Sequence, residues 1–256
     1  MLVVSDIHAN TTALEAVLRD ADGAWDGFLC LGDITGYGPD PEECVAAVTG
    51  LAGRSGTAFA LTGNHDAVLT GGVPLSWFGD HARASVLRTS LAVSSGAKAW
   101  LAGLSPSLEV PGDVSPLRTL AVHASPNELL TGYLFGGEET ALALAAIKRQ
   151  GFAACLCGHT HVAAVYRGDG LGEVEASIGL AGSSVSLRDG PVIVNPGSVG
   201  LPRFPNRGPD DPGHVESAWP ARYGIWDTDA AVFSFREVLY DRRAATKRLQ
   251  ALGANW

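Results

Sequence analysis

The sequence predicts an α/β protein with parallel strands and a polar site at their carboxyl ends. Three observations lead there. Residues 1–62 alternate apolar runs with helix-patterned stretches in the order strand, helix, strand, helix, strand. Such alternation gives parallel strands joined by right-handed crossovers. Five apolar runs end in Asp, Asn or His, at Asp6-Ile7-His8, Gly32-Asp33, Gly63-Asn64-His65-Asp66, His123 and Gly158-His159-Thr160-His161. Ligands of parallel sheets gather at such strand ends. Further along, runs at antiparallel spacing and a closing hairpin pattern add strands of the opposite sense.

Leu2 to Val4 is the first strand. Asn10 or Thr11 can cap the helix Thr12 to Asp20, whose Leu14, Val17 and Leu18 recur at helical spacing. Gly27 to Leu31 is the second strand. After a turn-rich loop, Asp40 caps a helix that starts at Pro41 and runs to about Thr49. Thr57 to Thr62 reads as a buried strand ending in Gly63-Asn64-His65-Asp66, which taken alone could be a turn. Leu75 to Gly103 is helical, broken at Ser94-Ser95-Gly96. Ser107 to Val110 and Arg118 to Val122 are strands, Glu138 to Gln150 a helix and Ala153 to Cys157 a strand. Val162 to Arg167, Glu173 to Ile178 and Pro191 to Val194 read as antiparallel strands, whereas Gly179 to Gly190 has no clear pattern. Arg203 to Ala218, rich in proline, reads as a surface loop. Tyr223 to Asp227 and Ala231 to Val238 form a hairpin, and Asp241 to Leu252 is the last helix. With no repeat or linker, residues 1–256 are expected to form one domain.

The chain has 256 residues and a formal net charge of -9. That balance argues against bulk attraction to nucleic acid or anionic membranes, but leaves room for a small phosphorylated substrate if metal ions supply positive charge. The N-terminus enters a strand directly, without an export signal, and no apolar run is long enough to span a bilayer. A cytoplasmic protein is expected. Cys30, Cys44, Cys155 and Cys157 form no Cys-x-x-Cys pair, and buried reduced thiols are their expected state.

The donor inventory at the strand ends is two carboxylates (Asp6, Asp33), one amide (Asn64) and four imidazoles (His8, His123, His159, His161). Side chains two apart in extended chain point the same way, which makes Asp6/His8 and His159/His161 natural pincers. Carboxylate, amide and imidazole donors without thiolate suit manganese, iron or zinc. Seven donors exceed one tetrahedral ion and match two ions sharing a carboxylate. Each piece alone has a structural reading, as a cap, a turn or a satisfied core histidine. Five polar clusters at strand ends together are costly unless something pairs them. His81 and His214 fall in a polar helix and a loop and are expected at the surface.

The order Asp-x-His, Gly-Asp, Gly-Asn-His-Asp, His, Gly-His-x-His resembles the calcineurin-like metallophosphoesterase superfamily, from Ser5 to Arg203. The segments Gly32 to Pro41, His123-Ala124-Ser125-Pro126 and Asn195 to Arg203 resemble its small bacterial branch, which includes cytoplasmic phosphodiesterases. The resemblance implies an αββα four-layer sandwich, two packed mixed sheets flanked by helices. It implies that Asp6, His8 and His161 hold one divalent ion, that Asn64, His123 and His159 hold the other, and that Asp33 bridges them. Manganese is the first expectation, with iron, zinc or nickel as alternatives. A hydroxide between the ions would attack phosphorus in line. His65 would serve the leaving-group oxygen as acid or charge stabiliser, and Asp66 would bond its other ring nitrogen.

Two departures from the pattern are informative. Ala9 stands where glycine is common. Gly36-Tyr37-Gly38 replaces the Asp-Arg-Gly of protein phosphatases and symmetrical dinucleoside tetraphosphatases, whose arginine binds phosphate. A monoester dianion gains more from an extra cation than a diester monoanion does, so a phosphodiester such as a small nucleotide is favoured, with Arg203 and Tyr37 as substrate contacts. A phosphomonoesterase or protein phosphatase, a nucleotide pyrophosphohydrolase and a catalytically inactive binding scaffold are the alternatives. No sequence rule assigns specificity to the pocket rim.

Overall fold

The first strand, β1 (Leu2–Val4), is apolar and buried on both faces. Leu2 and Val4 pack toward helices, whereas Val3 joins the layer between two sheets. A strand with two apolar faces belongs inside a layered sandwich. The computed structural model, which describes residues 1–53, 57–168, 172–203 and 218–256, has that architecture.

After β1 come α1 (Thr11–Asp20), β2 (Phe28–Cys30), α2 (Pro41–Ala52), β3 (Ala58–Ala60), α3 (Asn64–Ala67), α4 (Asp80–Ala92) and α5 (Ser95–Ala102). The chain continues through β4 (Ser107–Glu109), β5 (Thr119–Val122), α6 (Glu138–Arg149), β6 (Ala154–Leu156), β7 (Ala164–Arg167) and β8 (Glu175–Ile178). It ends with β9 (Ser184–Ser186), β10 (Val192–Asn195), β11 (Ala218–Asp227), β12 (Val232–Asp241) and α7 (Arg243–Ala251). One sheet has the order β3-β2-β1-β11-β12-β9 and the other β4-β5-β6-β10-β7-β8. Both are mixed. β1, β2 and β3 run parallel, with Val3 opposite Leu29 and Leu29 opposite Phe59. In the second sheet β5, β6 and β10 run parallel.

Leu29, Leu31, Leu156, Val194, Trp226 and Phe233 fill the space between the sheets. Leu14, Val17 and Val48 of α1 and α2 cover the outer face of the first sheet, and Leu144 and Ile147 of α6 that of the second. This is the four-layer sandwich that the resemblance implied. Local signals also act as read. Asn10 Oδ1 accepts the Ala13 N–H at the start of α1, and the Ser94 hydroxyl accepts the Ala97 N–H where α4 gives way to α5.

Four expectations need correction. β3 is an edge strand and only half-buried, because no strand covers its far side. Gly63-Asn64-His65-Asp66 opens the short helix α3 rather than a turn. The glycine-rich stretch 179–190 contains β9, which pairs with β12 and carries the chain from the second sheet to the first. Asp40 does not cap α2 through its side chain. Its carboxylate accepts Arg248 Nε at 2.7 Å, Arg248 Nη2 at 2.6 Å and the Thr11 hydroxyl at 2.6 Å, tying α7 to α1 and α2. The loop expected at Arg203 to Ala218 lies largely outside the described residues, as does His214. Among the described residues, no helix is long and apolar enough to cross a membrane. All four cysteines are buried and free.

Candidate metal centre

The carboxyl ends of β1, β2, β3, β5 and β6 converge on one place. The loops after β1 and β2 are laced together by backbone, with Asp6 N–H on Gly32 O at 3.0 Å, His8 N–H on Asp33 O at 3.0 Å and Ala9 N–H on Ile34 O at 2.9 Å. β2 and β3 approach so closely that a Cβ on Gly63 would stand 2.1 Å from Asp33 Oδ1. Only glycine fits there. Its place at the N-terminal end of α3 leaves the His65 N–H free to reach the same Asp33 oxygen at 2.9 Å.

Of the two pincers expected from extended chain, Asp6 and His8 do meet in one donor group, but His159 and His161 divide between two, and neither pair is extended. Asp6 and His8 have φ of +54° and +50°, and His159 and His161 have +65° and +62°. Asp33, Ala9 and Tyr37 also have positive φ, so seven of the eight such non-glycine residues among those described surround this one site. Each left-handed residue costs on the order of 1 kcal/mol. The same observation explains why glycine suits the position of Ala9, at φ +52°. Strain of this kind persists only where the surroundings over-determine it.

The donor atoms fall into two groups that share Asp33. One holds Asp6, His8, Asp33 and His161, the other Asp33, His123 and His159, all buried. Asp33 Oδ2 lies 3.7 Å from His8 Nε2 and 3.5 Å from His123 Nε2. Asn64 Oδ1 lies 3.1 Å from His123 Nε2 and completes the second group. Both groups draw on both sheets.

Three of these imidazoles are fixed in tautomer by the backbone. His8 Nδ1 donates to Thr35 O at 3.0 Å, His161 Nδ1 to Leu201 O at 2.7 Å and His123 Nδ1 to Leu31 O at 2.9 Å. Since a carbonyl only accepts, the neutral form of each ring keeps its lone pair at Nε2. His8 Nε2 and His161 Nε2 then face each other at 2.9 Å. Two lone pairs at that distance repel unless a cation lies on them. His159 Nε2 is buried with no hydrogen-bond partner. The donor set therefore fits divalent cations, borne by imidazole, carboxylate and amide.

Electrostatics agree. Burial holds His159 and His161 down to about 3 and His8 well below its usual value, so these rings stay neutral and ready to ligate. Burial pushes Asp6 up to about 7. Burial also raises Asp33, but the charge and hydrogen bond of His123 outweigh it and keep Asp33 ionised, well below the usual carboxylate range. Burial lowers His123, yet Asp33 outweighs that and raises it to about 9. Without metal, protons on Asp6 and His123 stand in for cations.

Comparison with known proteins fits this geometry. Residues 1–208 match the calcineurin-like phosphoesterase superfamily domain. The chain belongs to that superfamily. The fold is shared with a metallophosphoesterase from Sphaerobacter thermophilus, 32% identical, with a TM-score of 0.78 over 99% of this chain and 93% of that one. It is shared too with a hypothetical protein from Pyrococcus horikoshii OT3, 18% identical, with a TM-score of 0.75 over 99% and 93%. An uncharacterized protein of Methanocaldococcus jannaschii is 29% identical over 204 residues, 78% of this chain and 76% of its own. The chain is thus a phosphoesterase of a metal-dependent family, with a buried cluster of Asp and His donors.

Over the phosphoesterase donors lies a cleft of about 360 Å³, lined by Asp33, Asn64, His65, Tyr37, Arg203 and a set of aromatic residues. Tyr37 packs with ring centroids 4.8 Å from His8 and 4.6 Å from His65. A Cβ on Gly36 would stand 2.4 Å from His65 Nδ1, so Gly36 lets the Tyr37 loop pass under the His65 ring. Arg203 is exposed, and its N–H donates to His161 O at 3.0 Å.

Asp66 is the site residue whose expected role fails. It does not bond the His65 ring, whose Nδ1 has no hydrogen-bond partner. The Asp66 carboxylate instead accepts Ile34 N–H at 3.1 Å, Thr35 N–H at 2.9 Å, the Thr35 hydroxyl at 2.9 Å and Gly63 N–H at 3.1 Å. Inside a helix that starts beside the loop after β2, its side chain meets unpaired N–H groups before any ring. It thereby sets Thr35 O, which orients His8. Two positioning residues escaped the sequence reading. Asn195 Nδ2 donates to Gly158 O at 2.6 Å and the Ser198 hydroxyl to Asp6 O at 2.8 Å, binding the His159 and Asp6 loops to one strap. The turn-rich segment 195–200 was the available signal, but turn composition does not say what a turn holds.

Asp66→Ala removes one acceptor from four donors and should lower the unfolding free energy of metal-free protein by about 3 kcal/mol, read by urea denaturation. A loss under about 1 kcal/mol would mean that Asp66 does not hold the loop after β2. Metal loading must also expel the protons on Asp6 and His123. Affinity for manganese, measured calorimetrically, should therefore rise between about pH 6 and about pH 9, with protons released to buffer. A pH-independent affinity over that range would contradict the charge assignment.

Proposed function

We propose that this chain is a phosphodiesterase that hydrolyses a small nucleotide or similar diester with two divalent ions, manganese first. Asp6, His8 and His161 would hold one ion, Asn64, His123 and His159 the other, and Asp33 both. Ions so held supply Lewis-acid charge to the phosphoryl oxygens and lower the pKa of the attacking water. The facing Nε2 atoms of His8 and His161 and the shared position of Asp33 support this set.

The observation that carries the diester reading is the charge of the cleft. Arg203, at the mouth, is the one Lys or Arg among its described lining residues, and Tyr37 follows Gly36 where phosphatases of the superfamily place an arginine. A single guanidinium suits a monoanion better than a dianion. Burial raises the Tyr37 hydroxyl to about 12, so it stays protonated and can donate to a phosphoryl oxygen. His65 lines the same cleft, and burial keeps it neutral. A neutral ring can still present an N–H to the leaving-group oxygen. We take residues 1–256 as one functional unit, because both sheets furnish the donors. Four buried free thiols support a cytoplasmic setting.

With manganese, iron, zinc or nickel supplied in turn, a bis-aryl phosphate should show higher kcat/KM than the matching aryl monophosphate. Monoester preference of about tenfold or more would make the chain a monoesterase. Turnover of pyrophosphate esters alone, or of nothing with any metal, would favour the pyrophosphohydrolase or the inactive scaffold.

His65→Ala should keep the metal content of the parent, whereas Asp33→Ala should lose at least one ion. Turnover of His65→Ala should fall by roughly a hundredfold, and by less with good leaving groups, which need little protonation. Metal loss in His65→Ala, with equal activity loss for every leaving group, would assign the ring a ligand or structural role.

A further inference from the structure

Aromatic side chains are seldom left in water without use, since each carries a large apolar face. Trp77 is 39% exposed, Tyr133 44% and Phe135 60%, and these are the exposed Trp, Tyr and Phe side chains among the described residues. They come from two separate segments, yet they stand together. Trp77 and Tyr133 both line the cleft over the metal centre. Both flank the same ligand candidate, with ring centroids 6.1 Å and 4.3 Å from His159. Phe135 extends the row outward, stacked on Tyr133 at 5.9 Å with 12° between the planes. Behind Trp77 the row continues inward through Phe78, whose ring meets His65 at 5.0 Å. The reacting phosphorus would thus sit at one end of a path of flat faces open to solvent.

We propose that this row is a nucleobase subsite. The phosphoester substrate carries a nucleoside, and its base stacks on Tyr133 and Trp77 while the phosphate reaches the donors beside His159. The proposal rests on the phosphoesterase reading above and adds the class of substituent. Every base has a π-face, and a base on an aromatic platform gains on the order of tenfold or more in affinity. The other cleft residues with polar side chains are the metal-centre donors, His65, Tyr37 and Arg203. None of the aromatic faces reads a base edge. Selectivity should therefore follow ring size, purine above pyrimidine, with adenine and guanine treated alike.

The test is competitive inhibition of the metal-loaded full chain by adenosine 5′-monophosphate and by ribose 5-phosphate, against whichever aryl ester is turned over. The nucleotide should inhibit about tenfold more tightly than the sugar phosphate. In Tyr133→Ala and Trp77→Ala the gap should close by loss of nucleotide affinity, and Tyr133→Phe should restore it, since the face and not the hydroxyl is used. Cytidine 5′-monophosphate should fall between the two. Equal inhibition by nucleotide and sugar phosphate in the parent would overturn the subsite. So would a gap that persists in both alanine variants. Should the aryl monophosphate prove the better ester, the diester reading fails while this comparison is still read. Concentration-dependent sedimentation lost in Phe135→Ala, together with equal inhibition, would make the row a contact between copies and overturn the proposal.

Discussion

Two imidazole nitrogens aimed at each other across 2.9 Å set the terms for the rest of this molecule. His8 and His161 come from different sheets, and neither can turn away. Each is pinned through Nδ1 to a carbonyl, Thr35 O or Leu201 O. Those carbonyls are themselves held in place. Asp66 binds the N–H and hydroxyl of Thr35, and the Ser198 hydroxyl accepts the Leu201 N–H. The outer supports thus hold these imidazoles in an arrangement that repels itself until positive charge enters. Preorganisation of this kind moves the cost of gathering the donors into folding, where the core can offset it.

The core is built to offset it. Left-handed residues, buried carboxylates and unpaired imidazole nitrogens all destabilise. They are concentrated at one edge of a sandwich with three buried apolar layers, two beneath helices and one between the sheets. β1 and β2 contribute to these layers through both faces and then end at the donors. The residues that fold the protein and those that strain it are neighbours in sequence, a few positions apart along the same strands.

How much of this was legible follows from which interactions are local. Apolar runs ending in Asp, Asn or His mark strand ends whatever the tertiary structure, so Asp6, Asp33, Asn64, His123 and His159 could be read directly. Their convergence was inferable because parallel strands end on one side. The conformation that achieves it was not, since positive φ at His8 or His161 reflects the backbone lacing of loops distant in sequence. Asp66 was misread for the same reason. The resemblance implied a ring contact with His65, but the donors that claim the Asp66 carboxylate come from residues 34 and 35 and from Gly63. β9 was invisible because a short strand at the edge needs only its partner β12. Trp77 and Tyr133 are ordinary aromatics in sequence, and only the fold makes them neighbours.

The division of each donor group between the two sheets has a mechanical meaning. Layers of a sandwich are joined mainly by apolar contact, which resists separation but only weakly resists sliding. A cation held by Asp6 and His161, or by Asn64 and His123, as proposed above, would be a rivet through both sheets at one edge. Shear between them would then break coordination bonds and not merely rearrange side chains. By mass action, an ion that binds only the assembled edge favours the assembled sandwich in proportion to its free concentration. Metal supply in the surroundings would govern how long this fold persists as well as how fast it works.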